Sequence, residues 1–196
     1  MNNIKKEVKE KIKKYSKKEY LDGYIRNEFL TDNGHAVILL RISDKYELFD
    51  PRTYGNQLDL DNNIYDFIDN KSAMLNNDIK LKLHIISTDL EKSDEEKIKH
   101  LVSEHYAIEL YKAQKEYKRN KNKILKLAVI GFIFLICYAV IAFKFSSKFF
   151  IEILGFLFSF TLWEAFEALI YTLSDLELKK EAITQKLIMD IDFETK

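Results

Sequence analysis

Polar residues inside a long apolar run are the first feature of this sequence that could do chemistry. The run extends from Phe149 to Leu173 and is interrupted only by three glutamates. Successive helical residues are rotated by about 100°, so one set of positions falls within roughly 120° of a single face. That set is Glu152, Gly155, Ser159, Trp163 and Glu167. Because a polar stripe on a membrane helix points toward a partner helix or water, it predicts a pore lining shared by several subunits.

Two of the glutamates also have a simpler explanation. Pairing this run with the preceding apolar run as an antiparallel hairpin places Lys126 between Glu164 and Glu167. The two carboxylates would then neutralise Lys123 and Lys126 in a belt of ion pairs with no role in transport. Glu152 lies near the other end of the run, where cations are few, so it is the better candidate for a pore mouth.

Six basic residues just before the first apolar run form the second candidate site. They are Lys112, Lys115, Lys118, Arg119, Lys121 and Lys123. In an assembly about an axis they would repeat as a dense cationic ring, which binds polyanions with a strong dependence on salt. Arg52, in the segment Phe49-Asp50-Pro51-Arg52, is a further predicted anion ligand. The alternatives are that the lysines only anchor the chain on anionic lipid and that the loop is a structural turn.

The remaining residue types give no catalytic or metal site. His100 and His105 are five positions apart, so they do not share a helical face as paired metal ligands do. A calcium-loop-like start at Asp59 lacks the required glycine and glutamate, because Ile64 and Asn70 occupy those positions. The sequence has no glycine-rich phosphate loop, and its one cysteine excludes an internal disulfide framework. We expect no enzymatic activity, no cofactor and no metal.

Two apolar runs must position the stripe and the cations. The first, residues 124–143, contains seventeen uncharged residues from Leu127 to Phe143 and is long enough to cross about 30 Å of hydrocarbon. The second is predicted to span over residues 149–173. The five residues between them permit only a tight connection, so a transmembrane helical hairpin is expected. A buried hairpin in a soluble protein is the alternative, but 196 residues are too few to surround it.

Basic residues are unevenly distributed around this hairpin. Nine lie close to its two outer ends, and two lie in the connection. The positive-inside rule then predicts that both termini are cytoplasmic. Residues 1–20 are basic and lack an apolar core, so we expect no cleavable signal peptide.

Opposite charges are segregated along the chain, although 31 Lys and Arg balance 31 Asp and Glu. Residues 1–18 carry a net charge of +6, residues 19–111 carry −9, and residues 112–126 carry +6. Four apolar residues of the N-terminal stretch share one helical face, which predicts a basic amphipathic helix lying on anionic lipid or docked on the domain. They are Ile4, Val8, Ile12 and Tyr15.

Between the N-terminal helix and the spans the hydrophobic pattern changes to a period of two, which is typical of strands. The turn signals Asn33-Gly34 and Ser43-Asp44-Lys45 favour hairpins, so we expect a small antiparallel sheet. A helix with Asp61 or Asn62 as its N-cap should accompany it. The predicted strands are 24–30, 35–42, 46–49 and 79–86.

A capping-box pattern at Ser93 and Glu96 predicts a long helix that opens at Asp94 and continues into the first span. The tail after the second span alternates again, which predicts a strand that returns to the sheet. The predicted fold is therefore α+β, with a small antiparallel sheet domain on a long helix that continues into a two-helix transmembrane hairpin. Its divisions are a basic helix (1–22), a cytoplasmic α+β domain (23–92), a charged juxtamembrane helix (93–123), the spans 124–143 and 149–173, and a cytoplasmic helix and strand (174–196).

This layout resembles that of small membrane effectors of bacterial anti-phage operons, most closely the Hailong-type effectors. The α+β domain with Phe49-Asp50-Pro51-Arg52 and the charged helix from Ser93 to Lys123 carry part of the resemblance. The short hairpin and Trp163-Glu164-Ala165 at the close of the second span carry the rest. The resemblance extends over the whole chain as an architecture.

The resemblance implies a homotetrameric, cone-shaped ion channel of the bacterial inner membrane, with an electropositive cytoplasmic chamber. It also implies DNA binding, because single-stranded DNA oligomers made by a partner nucleotidyltransferase hold such a channel closed until infection removes them. We therefore expect a multi-pass pore that depolarises the inner membrane, with identical copies, the lipid bilayer and such oligomers as its partners. A non-conducting membrane anchor or scaffold, whose α+β domain binds a protein, is the alternative.

Overall fold

A computed structural model describes residues 9–11, 13–15, 29, 34–144 and 148–195 of the chain. The chain divides into unit 1, Met1–Ala107 with Thr184–Lys196, and unit 2, Ile108–Ile183. The regular elements are β1 (Ala36–Ile42), α1 (Asn62–Ser72), β2 (Leu81–Ser87), α2 (Lys92–Lys144), α3 (Lys148–Glu167), a π-helical segment (Ala168–Thr172), α4 (Leu173–Leu187) and β3 (Asp190–Thr195).

The sheet of unit 1 has the strand order β1-β2-β3, and both pairings are parallel. The expected antiparallel sheet is therefore wrong. The chain passes through α1 between β1 and β2, and through α2, α3 and α4 between β2 and β3. Each connection is thus a helical crossover, which is how parallel neighbours are joined, and Ser43-Asp44-Lys45 connects no two paired strands among the described residues. The hairpin predicted at Asn33-Gly34 lies mostly outside the described residues.

The predicted strand over residues 46–49 is also wrong. Asp44 accepts a hydrogen bond from the Tyr46 N–H at 2.9 Å and caps a short 3-10 helix, Lys45–Glu47. This local bond offers the backbone an alternative to pairing with a neighbouring strand. Phe49 forms only an isolated antiparallel bridge with Leu60.

Alternate residues of β1 and β2 build the core of unit 1. Ile38, Leu83 and Ile85 are at most 1% exposed, and β1 buries every second residue although its sequence is almost continuously apolar. Ile98 and Val102 of α2 are buried in the same unit. Each such aliphatic side chain stabilises the fold by about 1.5–3 kcal/mol relative to leaving it in water.

The helix starts follow side-chain capping. Asp61 accepts from the Asn63 N–H at 2.8 Å, which confirms the predicted cap of α1. α2 begins at Lys92, two residues before the predicted start. The carboxylate of Asp94 reaches back to the Glu91 N–H at 3.4 Å, as the acid of a capping box does, so the box is shifted toward the N-terminus.

The end of α4 is held within unit 1 by three partly buried hydrogen bonds from two side chains. The Gln185 side-chain amide donates to the carbonyl oxygens of Asn76 (2.8 Å) and Ile79 (2.7 Å). Lys186 Nζ donates to Asp69 Oδ1 of α1 at 2.6 Å. β3 follows and pairs with β2, which confirms the predicted return of the tail to the sheet.

An aromatic cluster lies beside this anchor. The rings of Tyr65 and His105 are stacked, with centroids 3.6 Å apart, so His105 packs against an aromatic ring. Tyr106 donates to Asp69 Oδ1 at 3.0 Å, and Tyr65 donates to Asp59 Oδ1 at 2.7 Å. Burial is the main cause that raises the pKa of both tyrosines, and the neighbouring carboxylates raise it further.

The predicted N-terminal helix and first strand fall mostly outside the described residues. Residues 9–11 and 13–15 are helical and exposed. Phe29 is buried, and its carbonyl oxygen accepts from the Val37 N–H of β1 at 2.8 Å.

Candidate membrane hairpin and cationic face

Two helices of this chain are long and apolar enough to cross a membrane. α2 contains an 18-residue window of mean hydropathy 2.7, and the continuous helix Lys148–Leu187 contains one of 1.6. Only 6% and 11% of these windows are buried, respectively. Their apolar side chains are therefore open to the surroundings, unlike those of a core helix in a soluble protein.

Within unit 2 the two helices pack antiparallel through small residues. A Cβ added to Gly131 of α2 would lie 2.7 Å from Leu162 Cδ2, which is closer than real Cβ atoms approach. A Cβ added to Gly155 would lie 3.5 Å from Tyr138 Cε2, an ordinary contact. Gly131 is thus the position at which an added side chain would require Leu162 to move.

An apolar cluster lies at the base of the hairpin, which is the end away from the connection between the two helices. Ile124 of α2 is buried with Ala165 of α3 and Leu173 of α4, and Tyr117 packs against them. Lys180 Nζ lies 4.5 Å from the centroid of the Tyr117 ring, a distance suited to a cation–π interaction. This arrangement fixes the turns of α2 around Tyr117 and Ile124 against α4.

The predicted polar stripe runs from the margin of α3 beside α2 to the exposed side of α3. Glu152, Ser159, Trp163 and Glu167 are exposed, and Gly155 is half-buried at the margin beside Tyr138. The centre of the stripe lies roughly 160° around the helix from the buried face of α3. That face is marked by Thr161 and Ala165.

A shallow apolar groove of about 480 Å³ runs alongside the stripe. Ser159 and Trp163 line it together with Ile124 and Ala128 of α2. The groove therefore lies on the exposed margin between the two helices. A neighbouring helix or lipid chain would fill it.

Directly after Glu167 the helix changes to π geometry over Ala168–Thr172. This change could not be predicted from the residue types, because the segment contains neither proline nor glycine. A π segment holds more residues per turn, so later positions lose the angular phase of the stripe. The stripe consequently ends at Glu167.

One of the predicted ion pairs is present at the base of the hairpin. Lys123 Nζ lies 3.8 Å from Glu164 Oε1, as the alternative explanation of these glutamates requires. Two turns earlier in α2, Glu116 pairs with Lys179 of α4 at 3.4 Å. The base of the hairpin is therefore partly neutralised within a single chain.

The structure brings four of the six predicted cations to one face of α2. At about 100° per residue, they fall within roughly 80°, and Lys126 falls inside the same sector. These four are Lys112, Lys115, Arg119 and Lys123. Lys118 and Lys121 lie on other sides of the helix. The sector, named here the cationic face, is turned about 120° from the side that contacts α3.

The cationic face is exposed and only partly paired. Lys112 forms an ion pair with Glu109 at 2.7 Å, and Lys123 has its longer contact with Glu164. Within the described part of the chain, Lys115, Arg119 and Lys126 form no ion pair. The face therefore retains uncompensated positive charge.

Arg52 belongs to unit 1 and is already paired. Its Nε and Nη2 each donate to the carboxylate of Asp50 at 2.8 Å. These hydrogen bonds lower the pKa of Asp50 and raise the pKa of Arg52. The structure thus gives Arg52 a carboxylate partner within its own loop.

Comparison with known proteins adds no family to these observations. No protein-family model, curated protein or solved structure matches the chain. The class that the fold and the site define is a small parallel α/β unit combined with a two-helix hairpin long and apolar enough for a membrane.

Proposed function

We propose that this chain is a membrane protein that assembles with identical copies into an ion-conducting pore. The observation that carries the proposal is the exposure of Glu152, Ser159 and Glu167 on α3, with Ser159 in the open groove beside α2. Polar side chains in a membrane helix are stabilised by facing a partner or water, and the hairpin itself leaves these three uncovered. Further copies would enclose them around a water-filled path.

The proposed pore is controlled by a polyanion that binds the cationic face. Copies arranged about an axis would repeat Lys112 and Lys115 as a ring outside the membrane. A bound polyanion would stabilise one arrangement of the helices, and its removal would shift the population toward the other. Following the resemblance described above, the proposed ligand is a single-stranded DNA oligomer from a partner nucleotidyltransferase. The proposed setting is the bacterial inner membrane during anti-phage defence, with a tetramer whose termini are cytoplasmic.

A non-conducting membrane anchor or scaffold is the second candidate function. It is favoured by exposed aromatic residues on unit 1, where Tyr46 and Tyr54 are 75% and 85% exposed. Aromatic side chains of this kind are enriched in protein interfaces. The Lys123–Glu164 pair is compatible with either function, because it supplies one glutamate with a partner inside the chain.

Expression in bacterial cells with a dye that reports membrane potential tests the first proposal. We expect loss of potential with the native chain and an altered loss with Glu152→Gln or Ser159→Leu. Glu177→Gln is the matched control, because Glu177 is an exposed acid on α4 outside the second span. A monomer or dimer in detergent that gives no conductance in liposomes would instead identify the anchor or scaffold.

A further inference from the structure

A groove on the cationic face of α2 is the strongest feature that the pore alone does not explain. It has a volume of about 600 Å³ and is lined by Arg119, Asn120, Asn122, Lys123 and Lys126. All of these except the partly buried Asn120 are exposed. The groove thus concentrates three cations and two amides within two turns of one helix.

The depth of these residues separates them from the rest of the cationic face. The headgroup layer is about 5–8 Å thick on each side of the hydrocarbon. At about 1.5 Å per residue it covers roughly three to five positions of a helix that crosses it. If hydrocarbon begins near Ile124, Arg119 to Lys123 fall in this layer, whereas Lys112 lies about 18 Å further out.

We propose that this groove binds the phosphate of an anionic phospholipid, an inference that rests on the membrane-spanning part of the proposed function. The planar guanidinium of Arg119 matches a phosphate with two parallel hydrogen bonds. Lys123 and Lys126 add point charges, and the flexible Lys126 stem lets its ammonium extend toward the headgroups. The lower part of the cationic face therefore holds lipid.

The hydrogen bonds and charges around the groove agree with this assignment. The Asn120 amide already donates to the Glu116 carbonyl oxygen at 3.0 Å, which leaves Asn122 as the amide available to lipid oxygens. Glu164 is the acid paired with a cation of the groove, at 3.8 Å from Lys123. Arg119 and Lys126 form no ion pair within the described residues, so the groove keeps the positive charge that a phosphate diester would neutralise.

A soluble nucleic acid could also place a phosphate on the cations of the groove. It is disfavoured because, in the headgroup layer, the local concentration of lipid phosphates is far higher than that of the phosphates of a dissolved polymer. Lys112 and Lys115, in the outer part of the cationic face, lie beyond the headgroup layer and do not meet lipid phosphates. We therefore expect lipid to bind the part of the face near the hydrocarbon and the polyanion to bind the outer part.

Native mass spectrometry of the full chain in detergent tests the assignment. Phosphatidylglycerol and phosphatidylcholine with identical acyl chains are added, and the retained lipid is counted for three proteins. These are the native chain, the groove variant Arg119→Gln/Lys123→Gln/Lys126→Gln and the control Lys112→Gln/Lys115→Gln/Lys118→Gln, which removes the same charge. Each basic residue near a membrane surface contributes roughly fivefold, so the groove variant should lose the preference for phosphatidylglycerol by about tenfold or more.

The control should keep that preference, and circular dichroism should show the same helix content in all three proteins. An unchanged preference in the groove variant, or equal losses in both variants, would overturn the proposal. Binding of a fluorescent single-stranded oligonucleotide is measured on the same samples. If the groove variant loses the oligonucleotide and retains phosphatidylglycerol, the groove is a nucleic-acid site and the lipid assignment is wrong. If only the pore proposal is wrong, the native chain will retain its preference for phosphatidylglycerol but will show no conductance.

Discussion

Lys186 Nζ lies 2.6 Å from Asp69 Oδ1 and thereby joins the last turn of α4 to α1. The Lys186 side chain is only 11% exposed, and its ammonium also lies 5.1 Å from the centroid of the Tyr106 ring. A nearly buried ammonium is stable only with such partners, because its desolvation is costly. The contact makes the residues after the second span part of the folded unit 1.

Replacing Lys186 should therefore destabilise unit 1. We expect Lys186→Met to lower the free energy of unfolding by about 1.5–3 kcal/mol, since a hydrogen bond between charged groups is lost. The control is Lys179→Met, which removes an exposed pair and should cost about 0–1 kcal/mol. Urea unfolding of the full chain in detergent, followed by near-ultraviolet circular dichroism, measures both. Equal effects of the two substitutions would contradict the anchoring role.

A second prediction concerns the close packing at Gly131. Gly131→Ala should destabilise the hairpin by about 1–3 kcal/mol, because the added methyl group overlaps Leu162. Gly155→Ala should be neutral or stabilising by up to about 1 kcal/mol, because alanine favours helix and the space at Gly155 is sufficient. Thermal unfolding midpoints in detergent compare the two variants. Leu162→Ala should cost less in the Gly131→Ala background than in the native chain, which tests the contact directly.

The buried tyrosines predict a specific loss of stability in alkali. Burial raises the pKa of Tyr65 and Tyr106 in the folded state, so the unfolded state releases these protons first as the pH rises. Stability from this source is complete below the unfolded tyrosine pKa and falls above about pH 10. Tyrosinate absorbance should show that Tyr65 and Tyr106 ionise only as unit 1 unfolds. Tyr106→Phe should reduce the amplitude of that late step by one tyrosine, and early titration of both residues would contradict the burial.

The angular grouping of the cations gives a test of polyanion binding. Lys112→Gln/Lys115→Gln removes two charges from the cationic face, whereas Lys118→Gln/Lys121→Gln removes two from other sides of α2. Each cation that contacts a phosphate of single-stranded DNA contributes about 0.7 to the slope of log affinity against log salt. The first pair should reduce the slope by roughly 1.4, and the second should leave it nearly unchanged. Fluorescence anisotropy with a short oligonucleotide over a salt series provides the measurement, and equal slopes for the two variants would exclude a directional face.

Local signals in the sequence predicted local structure well. Asp61 caps α1 as predicted, and the alternating tail forms β3 because half-buried strands keep a period of two. The antiparallel pairing at Gly131 and Leu162 follows from the short connection between the apolar runs. These features depend on residues close together in the chain.

Features that depend on distant residues could not be predicted in the same way. Strand direction depends on the path of the connections, and the turn residues Ser43-Asp44-Lys45 favoured a hairpin where the chain forms a short 3-10 helix instead. The contacts of Lys186 and Gln185 with residues more than 100 positions away leave no periodic pattern in the sequence. The angular division of the cations, by contrast, was available from helical geometry, as the polar stripe on α3 was.

The position of β3 in the chain also dictates an order of synthesis. β1 and β2 leave the ribosome before either apolar helix, whereas the third strand is made only after both. The edge of β2 that β3 covers therefore stays open until both apolar helices have been synthesised. In the proposed membrane protein, a stalled or misinserted hairpin would leave that edge exposed to a chaperone or protease.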